Sequence, residues 1–178
     1  MNILSIIAIA IVLPLQGISQ KRIPLEPAPV NFVIKNAGFS VNGSMTGVEG
    51  FATIDAQNSD LLKLEGTIDP NTINTGINMR DNHLRKSEYF NVKDYPKISL
   101  ASTRIKKISD HNYAGDFELN IKGTKKNISL PFNFSPSGNV FVVKGEFTIN
   151  RLDFKIGDES IFMSDSVKVK IDLKTGQN

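Results

Sequence analysis

Residues 113–121, with the sequence YAGDFELNI, decide the fold class of this chain. The odd-numbered positions from Tyr113 to Ile121 carry apolar side chains or glycine, whereas the even-numbered positions carry Ala, Asp, Glu and Asn. Successive side chains of a strand point to opposite faces of a sheet, so this period of two predicts a strand with one dry face and one wet face. The segment therefore favours an antiparallel sheet around a single interior.

The same alternation recurs along most of the chain. It is clear in residues 128–134, 141–150 and 167–173, and weaker but legible in residues 30–35, 43–46, 50–55, 62–68 and 97–108. Short reversals that carry Gly, Pro, Asn or Asp separate the later segments. About eight strands joined in this way predict an all-β, up-and-down antiparallel barrel, because closure removes exposed sheet edges. A two-sheet sandwich is the structural alternative.

The predicted dry phase mixes large aromatic side chains with glycine. We expect an apolar tunnel lined by Phe32, Phe117, Leu119, Phe132, Phe134, Phe141 and Phe147. Gly66, Gly115 and Gly145 share this phase. Glycine in a strand often relieves coiling at a barrel corner. Alternatively, the missing side chains leave a channel between the phenylalanines, and spacing alone does not separate the two interpretations.

The first nineteen residues have the pattern of a secretory signal peptide. An apolar run follows Asn2, and Gly17-Ile18-Ser19 places small residues where a signal peptidase cleaves, so we expect cleavage after Ser19. The segment before the run has no Lys or Arg, which leaves an uncleaved anchor as the alternative. No cysteine is present to carry a lipid anchor. Residues 20–178 are then one domain that is periplasmic or secreted.

Composition argues against several classes of function. The net charge is +3 with a pI near 9.1, but the lysines are scattered, which indicates a solvated surface and no nucleic-acid partner. The chain has no cysteine and two histidines, His83 and His111, so neither a metal site nor a cofactor is expected. Ser87, His83 and Asp81 lie too close in sequence for a catalytic triad, and no nucleophile-elbow pattern surrounds Ser87. We therefore expect no enzymatic activity.

Residues 71–96 break the alternating pattern with a long polar connection. Connections of this length inside a compact domain are usually functional. Asn78 or Asp81 is suited to cap a short helix that runs towards Glu88, and Arg80 and His83 would share one face of it. The functional interpretation places Arg80 and His83 at the mouth of the barrel as donors to a polar head group. The alternative is that these residues make only local contacts within the loop.

The run TINTGINMRDNHLRKSEYFNVKDYPKISLAST, residues 72–103, resembles the signature of the YceI-like family of periplasmic, lipocalin-like isoprenoid-binding proteins. Residues 150–157, NRLDFKIG, are similar to a later motif of that family. The resemblance implies an eight-stranded antiparallel lipocalin-like barrel with an apolar tunnel and a short helix in loop 71–96. It also implies binding of a polyprenyl chain, such as an isoprenoid quinone or a prenyl pyrophosphate, with Arg80, Asp81 and His83 at the head group.

The chain departs from the family pattern at Asn36, where a histidine is common, and this removes one expected donor from the site. The resulting hypothesis is a non-catalytic carrier or store for a long isoprenoid lipid. A solid barrel that binds a protein partner and a small outer-membrane barrel remain as alternatives. The sequence leaves the oligomeric state open, with a homodimer as one possibility.

Overall fold

The computed structural model describes residues 19–176. The predicted signal segment up to residue 18 lies outside the described residues. Ten strands are present: β1 (Gln20–Pro24), β2 (Val30–Asn36), β3 (Phe39–Met45), β4 (Glu49–Asp55), β5 (Leu61–Ile68), β6 (Ile98–Ser109), β7 (Asn112–Ile121), β8 (Thr124–Ser137), β9 (Val140–Asn150) and β10 (Met163–Lys174). One helix, α1 (Asn78–Leu84), and two 3₁₀ turns, Pro70–Thr72 and Arg151–Phe154, complete the secondary structure of this part of the chain.

All ten strands form one curled antiparallel sheet in the order β1-β4-β5-β6-β7-β8-β9-β10-β2-β3. The residues that follow β1 bring this edge of the sheet back to β10, because Leu25 pairs with Thr175 and the Glu26 N–H donates to the Lys174 carbonyl at 2.8 Å. At the other edge, Ser44 in β3 and Asn74 exchange two backbone hydrogen bonds of 2.9 Å. The long loop therefore protects an edge that would otherwise expose unpaired backbone groups.

The all-β antiparallel class and the short helix in loop 71–96 are confirmed, whereas the sheet has ten strands rather than eight. The alternation did not reveal β1, because QKRIP is short and ends in proline. It forms as an edge strand along β4, where a terminal proline interrupts no ladder, and it buries Ile23. No helix among residues 19–176 is both long enough and apolar enough to cross a membrane.

Aromatic side chains from β7, β8 and β9 fill one part of the interior. The rings of Phe134 and Phe141 stack with centroids 4.8 Å apart, and Tyr113 lies edge-on to Phe134 at 6.0 Å. Phe132 stacks on Tyr113 at 5.8 Å and meets Phe117 edge-on at 5.9 Å. All five side chains are buried. We call these residues the aromatic cluster, and it makes this end of the sheet solid.

The inward-facing residues of β9, β10 and β2 are less enclosed than those of β7. Every second residue of β7 from Tyr113 to Ile121 is buried, whereas Val167, Val169 and Ile171 in β10 are only half-buried. These β10 residues occupy the inward phase, since Lys168 and Lys170 between them are exposed. Their remaining accessible surface faces an internal cavity.

Candidate functional site

A cavity of about 240 Å³ lies inside the curled sheet and is lined by residues of β2, β3, β5, β6, β7, β9 and β10. Its wall is almost entirely apolar. The strands contribute Val30, Phe32, Ile34, Val41, Leu64, Leu100, Leu119, Phe147, Ile149, Val167, Val169 and Ile171, and the loops contribute Leu84, Tyr89, Phe90 and Ile156. Apolar pockets with a few polar groups are the usual form of a small-molecule site, so this cavity is the candidate functional site.

The structure divides the seven predicted tunnel residues into two groups. Phe32, Leu119 and Phe147 lie in the cavity wall. The other predicted residues, Phe117, Phe132, Phe134 and Phe141, belong to the aromatic cluster and lie outside the wall, which corrects the expectation that they line the tunnel. The reason is that neighbouring rings on β7, β8 and β9 pack against one another and leave no channel.

The interior glycines play two structural roles, one beside the cavity and one beneath aromatic rings. Gly66 lies in the cavity wall, where a side chain would reduce the open space. At Gly115 the space is occupied instead, because a Cβ there would lie 2.4 Å from the Phe117 ring. Gly43 is similarly covered by the ring of Phe32, its partner across β2 and β3, at 2.2 Å from a Cβ position. Gly145 meets the Phe132 side chain at 3.3 Å.

Arg80 on α1 lies in the cavity wall and is half-buried. Its Nε donates to Thr75 Oγ1 at 2.7 Å, and its Nη2 donates to the Thr75 carbonyl at 2.8 Å. Among residues 19–176 no carboxylate lies within ion-pair distance of this guanidinium, and Nη1 makes no hydrogen bond to those residues. Arg80 therefore presents a fixed positive group with free donors beside an apolar cavity.

Asp81 points away from the cavity and fastens the loop. It is 4% exposed, and its Oδ1 accepts hydrogen bonds from the Thr75 N–H at 2.9 Å and from the Thr75 hydroxyl. Thr75 thus links Arg80 to Asp81, so the carboxylate orients the guanidinium through one intervening hydroxyl. The expected side-chain cap by Asn78 or Asp81 is not found, because α1 begins after Ile77, which makes no side-chain capping bond.

His83 lies outside the cavity wall. Its side chain is exposed, and its ring meets Tyr89 edge-on with centroids 4.9 Å apart. Tyr89 itself lines the cavity, so His83 supports a wall residue from the solvent side. Of the three predicted head-group residues, the structure therefore places only Arg80 in the wall.

Arg151 is a wall residue that sequence reasoning did not select. It is 2% exposed although it is charged. Its Nε donates to the Ser164 carbonyl at 3.1 Å, its Nη1 to the Ile156 carbonyl at 2.9 Å, and its Nη2 to Asp165 Oδ1 at 2.9 Å. The motif NRLDFKIG, which contains Arg151, could have drawn attention to this residue. It was not selected because an arginine that follows a strand is ordinarily exposed.

Loop 71–96 and the turn after β9 meet above Arg151. Gly157 donates its N–H to the Glu88 carbonyl at 2.9 Å. A Cβ at Gly157 would lie 2.8 Å from the Tyr89 ring and 3.3 Å from Arg151 Nη1, and its φ of +65° favours glycine. Gly157 therefore lies against both the Tyr89 ring and the Arg151 guanidinium. The two loops therefore form a common cover at this end of the cavity.

The chemical capacity of the site follows from these contacts. A mainly apolar wall, whose polar members are Asn36, Glu65, Thr67, Thr75, Arg80 and Arg151, suits an elongated apolar molecule with one polar or anionic end. Ser87, His83 and Asp81, whose spacing argued against a catalytic triad, do not line this cavity: Asp81 is engaged with Thr75, and His83 is exposed. The arrangement supplies binding groups and an oriented cation.

Comparison with known proteins places this fold in one family. A family model described as the YceI-like domain matches residues 24–175. A UPF0312 protein of Pectobacterium carotovorum is 33% identical over 139 residues, which cover 74% of this chain and 71% of that protein. Protein YceI of Salmonella arizonae is 33% identical over 116 residues, which cover 64% of this chain and 60% of that protein.

Solved structures share the fold at lower identity. BcnA of Burkholderia cenocepacia superimposes with a TM-score of 0.77 at 21% identity, over 83% of this chain and 96% of that protein. A polyisoprenoid binding domain from Saccharophagus degradans gives a TM-score of 0.69 at 16% identity, over 91% of this chain and 100% of that domain. The curled sheet, the helix-bearing loop and the match of the family model over nearly all of the described residues lead to one conclusion: this chain belongs to the YceI-like family.

Proposed function

We propose that this protein binds a long-chain isoprenoid lipid inside its sheet, as a carrier or store that performs no catalysis. The observation that carries the proposal is the apolar cavity inside the curled sheet, whose wall is built mainly from interior positions of the strands. Burial of hydrocarbon in such a wall contributes about 25 cal/mol per Å² of apolar surface. The Saccharophagus domain with the same fold, which is described as polyisoprenoid binding, supports this ligand class.

Arg80 is the proposed contact for the polar end of the lipid. Thr75 holds its guanidinium in place, and the free Nη1 donors suit the pyrophosphate of a prenyl pyrophosphate or a carbonyl of an isoprenoid quinone. Asp81 acts on the ligand only through Thr75 and Arg80, and His83 acts through Tyr89. Arg151 is already bonded to three acceptors, so its role is to hold the cover over the cavity.

The cavity favours a lipid carrier over a solid barrel that binds a protein partner, because in a protein-binding module the hollow part of the sheet would have no occupant. The outward faces of β9 and β10 argue against a lipid-facing exterior. Lys168 and Glu146 form an ion pair of 2.7 Å across these strands, and Lys144 and Asp172 form another of 3.4 Å.

We further propose a periplasmic or secreted location after cleavage near Ser19, which the intact mass of the mature chain would test.

Native mass spectrometry of protein purified from its own envelope tests the function directly. We expect copurified lipids whose masses differ by whole isoprene units. Val169→Trp should remove them, because Val169 faces the cavity and the indole would occupy it. Lys170→Trp is the matched control, since its side chain is exposed on the outer face of the same strand. Consistent recovery of lipid-free protein that also fails to bind added prenyl chains would overturn the proposal.

Replacing Arg80 with methionine separates the two head groups. A charge-assisted hydrogen bond contributes roughly 1.5–3 kcal/mol, so we expect about a 10- to 100-fold loss of affinity for a polyprenyl pyrophosphate. Affinity for a quinone of equal chain length should fall much less, because its carbonyl is neutral. Equal losses for both ligands would show that Arg80 contributes packing alone.

A further inference from the structure

Large apolar side chains are exposed on three segments of the surface. Ile161 is 94% exposed and Phe162 65% exposed, Phe39 is 77% exposed, and Met79 and Ile77 are 81% and 50% exposed. We call these five residues the apolar rim. Exposure of several such side chains in one region is uncommon on a protein surface that contacts only water, and it marks an interaction site.

Each residue of the apolar rim lies within two positions of a residue in the cavity wall. Ile161 and Phe162 directly precede Met163, and Phe39 precedes Val41 by two positions. Ile77 and Met79 both lie between Thr75 and Arg80 in the sequence. Met163, Val41, Thr75 and Arg80 all line the cavity. Phe39 also shares the phase of β3 with the wall residue Val41 and the buried Met45, so it lies at the end of the sheet next to the cavity wall.

Backbone contacts join two of the three segments. The N–H of Ala37 donates to the Phe162 carbonyl at 2.7 Å, and Asn36 pairs with Met163 across β2 and β10. The hairpin between β2 and β3 and the loop before β10 therefore form one continuous apolar ledge. Because Asn36 and Met163 belong to the wall, this ledge borders the cavity itself.

We propose that the apolar rim docks onto the surface of a lipid bilayer and inserts its side chains among the acyl chains. One observation favours a bilayer over a protein partner: the residues of the rim neighbour the wall of an apolar cavity in all three segments. Insertion removes exposed apolar surface from water, which is how interfacial segments bind membranes. The use of this contact to load a lipid rests on the proposed function, whereas the docking itself does not.

Charge near the rim is balanced, and this predicts the kind of bilayer that is bound. Lys35 and Arg80 lie beside rim residues, and so do Asp158 and Glu159. With no basic cluster to attract anionic lipid, binding should depend on apolar insertion. Vesicles of zwitterionic phosphatidylcholine should therefore bind the protein as well as vesicles that contain phosphatidylglycerol, and salt should change the binding little.

Vesicle flotation with the mature chain tests the docking. The triple variant Phe39→Ser, Ile161→Ser and Phe162→Ser should lower partitioning onto phosphatidylcholine vesicles by roughly tenfold or more. Ile108→Ser is the matched control, because Ile108 is 60% exposed but lies near the far end of β6 from the cavity residue Ile98. Met79→Ser, on a different segment, should lower partitioning by itself, so the test does not depend on folding of the triple variant.

Three results would overturn the docking proposal: no flotation of the wild-type protein, equal flotation of the triple variant, or an equal loss in Ile108→Ser. If the rim instead joins two copies of the chain, light scattering would show a dimer that the triple variant abolishes, while its flotation stays equal to that of the wild-type protein. That outcome is a case of the second result and overturns the docking proposal. Val169→Trp, which blocks the cavity, should still float. Loss of lipid binding with retained flotation would thus reject the proposed ligand and keep the docking.

Discussion

Arg151 is nearly inaccessible to water, and its burial requires compensation. An arginine cannot lose its charge in a protein interior, so its guanidinium needs acceptors on several sides. The Ser164 and Ile156 carbonyls and Asp165 supply them. Ile156 lies just after the 3₁₀ turn that follows β9, and Ser164 and Asp165 lie at the start of β10. The arginine therefore holds that turn in place over the cavity.

Replacing Arg151 with methionine should lower the free energy of unfolding by about 2–3 kcal/mol, because buried carbonyls lose their donor. Urea unfolding measures the change. Arg104→Met is the control: Arg104 also pairs with an aspartate, Asp116, but its side chain is 78% exposed, so its urea midpoint should stay nearly unchanged. Equal midpoints for the two variants would show that Arg151 does not hold the turn.

Tyr113 gives the molecule a dependence on alkaline pH. Burial raises the pKa of its phenol above the ordinary value of 10.0, and the nearby Asp60 carboxylate acts in the same direction. A pKa raised in the folded state means that folding favours the neutral phenol. This contribution is complete below about pH 10 and is lost as the pH rises through the folded-state pKa.

The urea midpoint of the wild-type protein should therefore fall more steeply above pH 10 than that of Tyr113→Phe. Lys107 also titrates at alkaline pH, since its hydrogen bond to Asp60 raises its pKa, and this hydrogen bond is present in both proteins. The charge of the Tyr113 phenolate also raises the pKa of Lys107, so the difference between the two profiles reports the phenol together with its attraction for Lys107. Parallel profiles over this range would contradict the assignment to Tyr113.

At the scale of elements, the backbones of the paired strands β4 and β5 lie close together at a pair of glycines. Gly50 and Gly66 are direct partners in the ladder. A Cβ at Gly50 would lie 2.3 Å from the Glu65 carbonyl oxygen and 2.7 Å from the Gly66 Cα, whereas a Cβ at Gly66 would approach no atom closer than 3.4 Å. The two glycines are equivalent in sequence pattern, but only Gly50 is required by the contact between the strands.

Gly50→Ala should lower the free energy of unfolding by about 1–3 kcal/mol, because backbone atoms of β5 must move. Gly66→Ala is the matched variant and should be neutral or stabilise by up to about 1 kcal/mol, since it restricts the unfolded chain without a clash. Thermal unfolding of both variants measures the contrast. A larger loss for Gly66→Ala than for Gly50→Ala would contradict this description of the close approach.

Loop 71–96 shows what sequence could predict about an element and what it could not. The helix was predicted because the loop departs from the alternating pattern and because Asn78 or Asp81 is suited to cap a short helix that runs towards Glu88. The capping residue at the start of the helix was not predicted, because the side chain of Asp81 accepts a hydrogen bond from Thr75, six residues earlier, instead of capping the helix. Arg85 likewise donates to the carbonyls of Asn71 and Ile73. Such contacts depend on how the loop folds over itself, which residue spacing does not encode.

At the scale of the whole molecule, a period of two predicted which residues face the interior but not how the interior is filled. Phe134 and Phe147 occupy the same phase of neighbouring strands. Phe134 is 2% exposed and stacks on Phe141, whereas Phe147 is half-buried in the cavity wall. The difference arises because rings from three adjacent strands meet at one end, whereas the ladder partner of Phe147 on β10 is the aliphatic Val169, which separates Phe147 from Phe32 on β2.

This division predicts that stability and ligand binding respond to different phenylalanines. Phe134→Ala removes a ring with neighbours on every side, so it should lower the free energy of unfolding by about 3–5 kcal/mol. Phe147→Ala should cost only about 1–2 kcal/mol, because one face of its ring already borders empty space and loses few contacts. Urea unfolding measures both changes in lipid-free protein.

Binding of an added prenyl chain should show the reverse order. Phe147→Ala should weaken binding, since the ring is part of the surface that encloses the ligand, whereas Phe134→Ala should leave the affinity unchanged under conditions where it remains folded. The conservative variant Phe134→Leu extends the test if the alanine variant is too unstable to assay. A loss of affinity in Phe134→Leu as large as that in Phe147→Ala would mean that the lipid reaches into the aromatic cluster. In that case the cluster is a gate that opens to the ligand, and the solid end of the sheet belongs to the binding site.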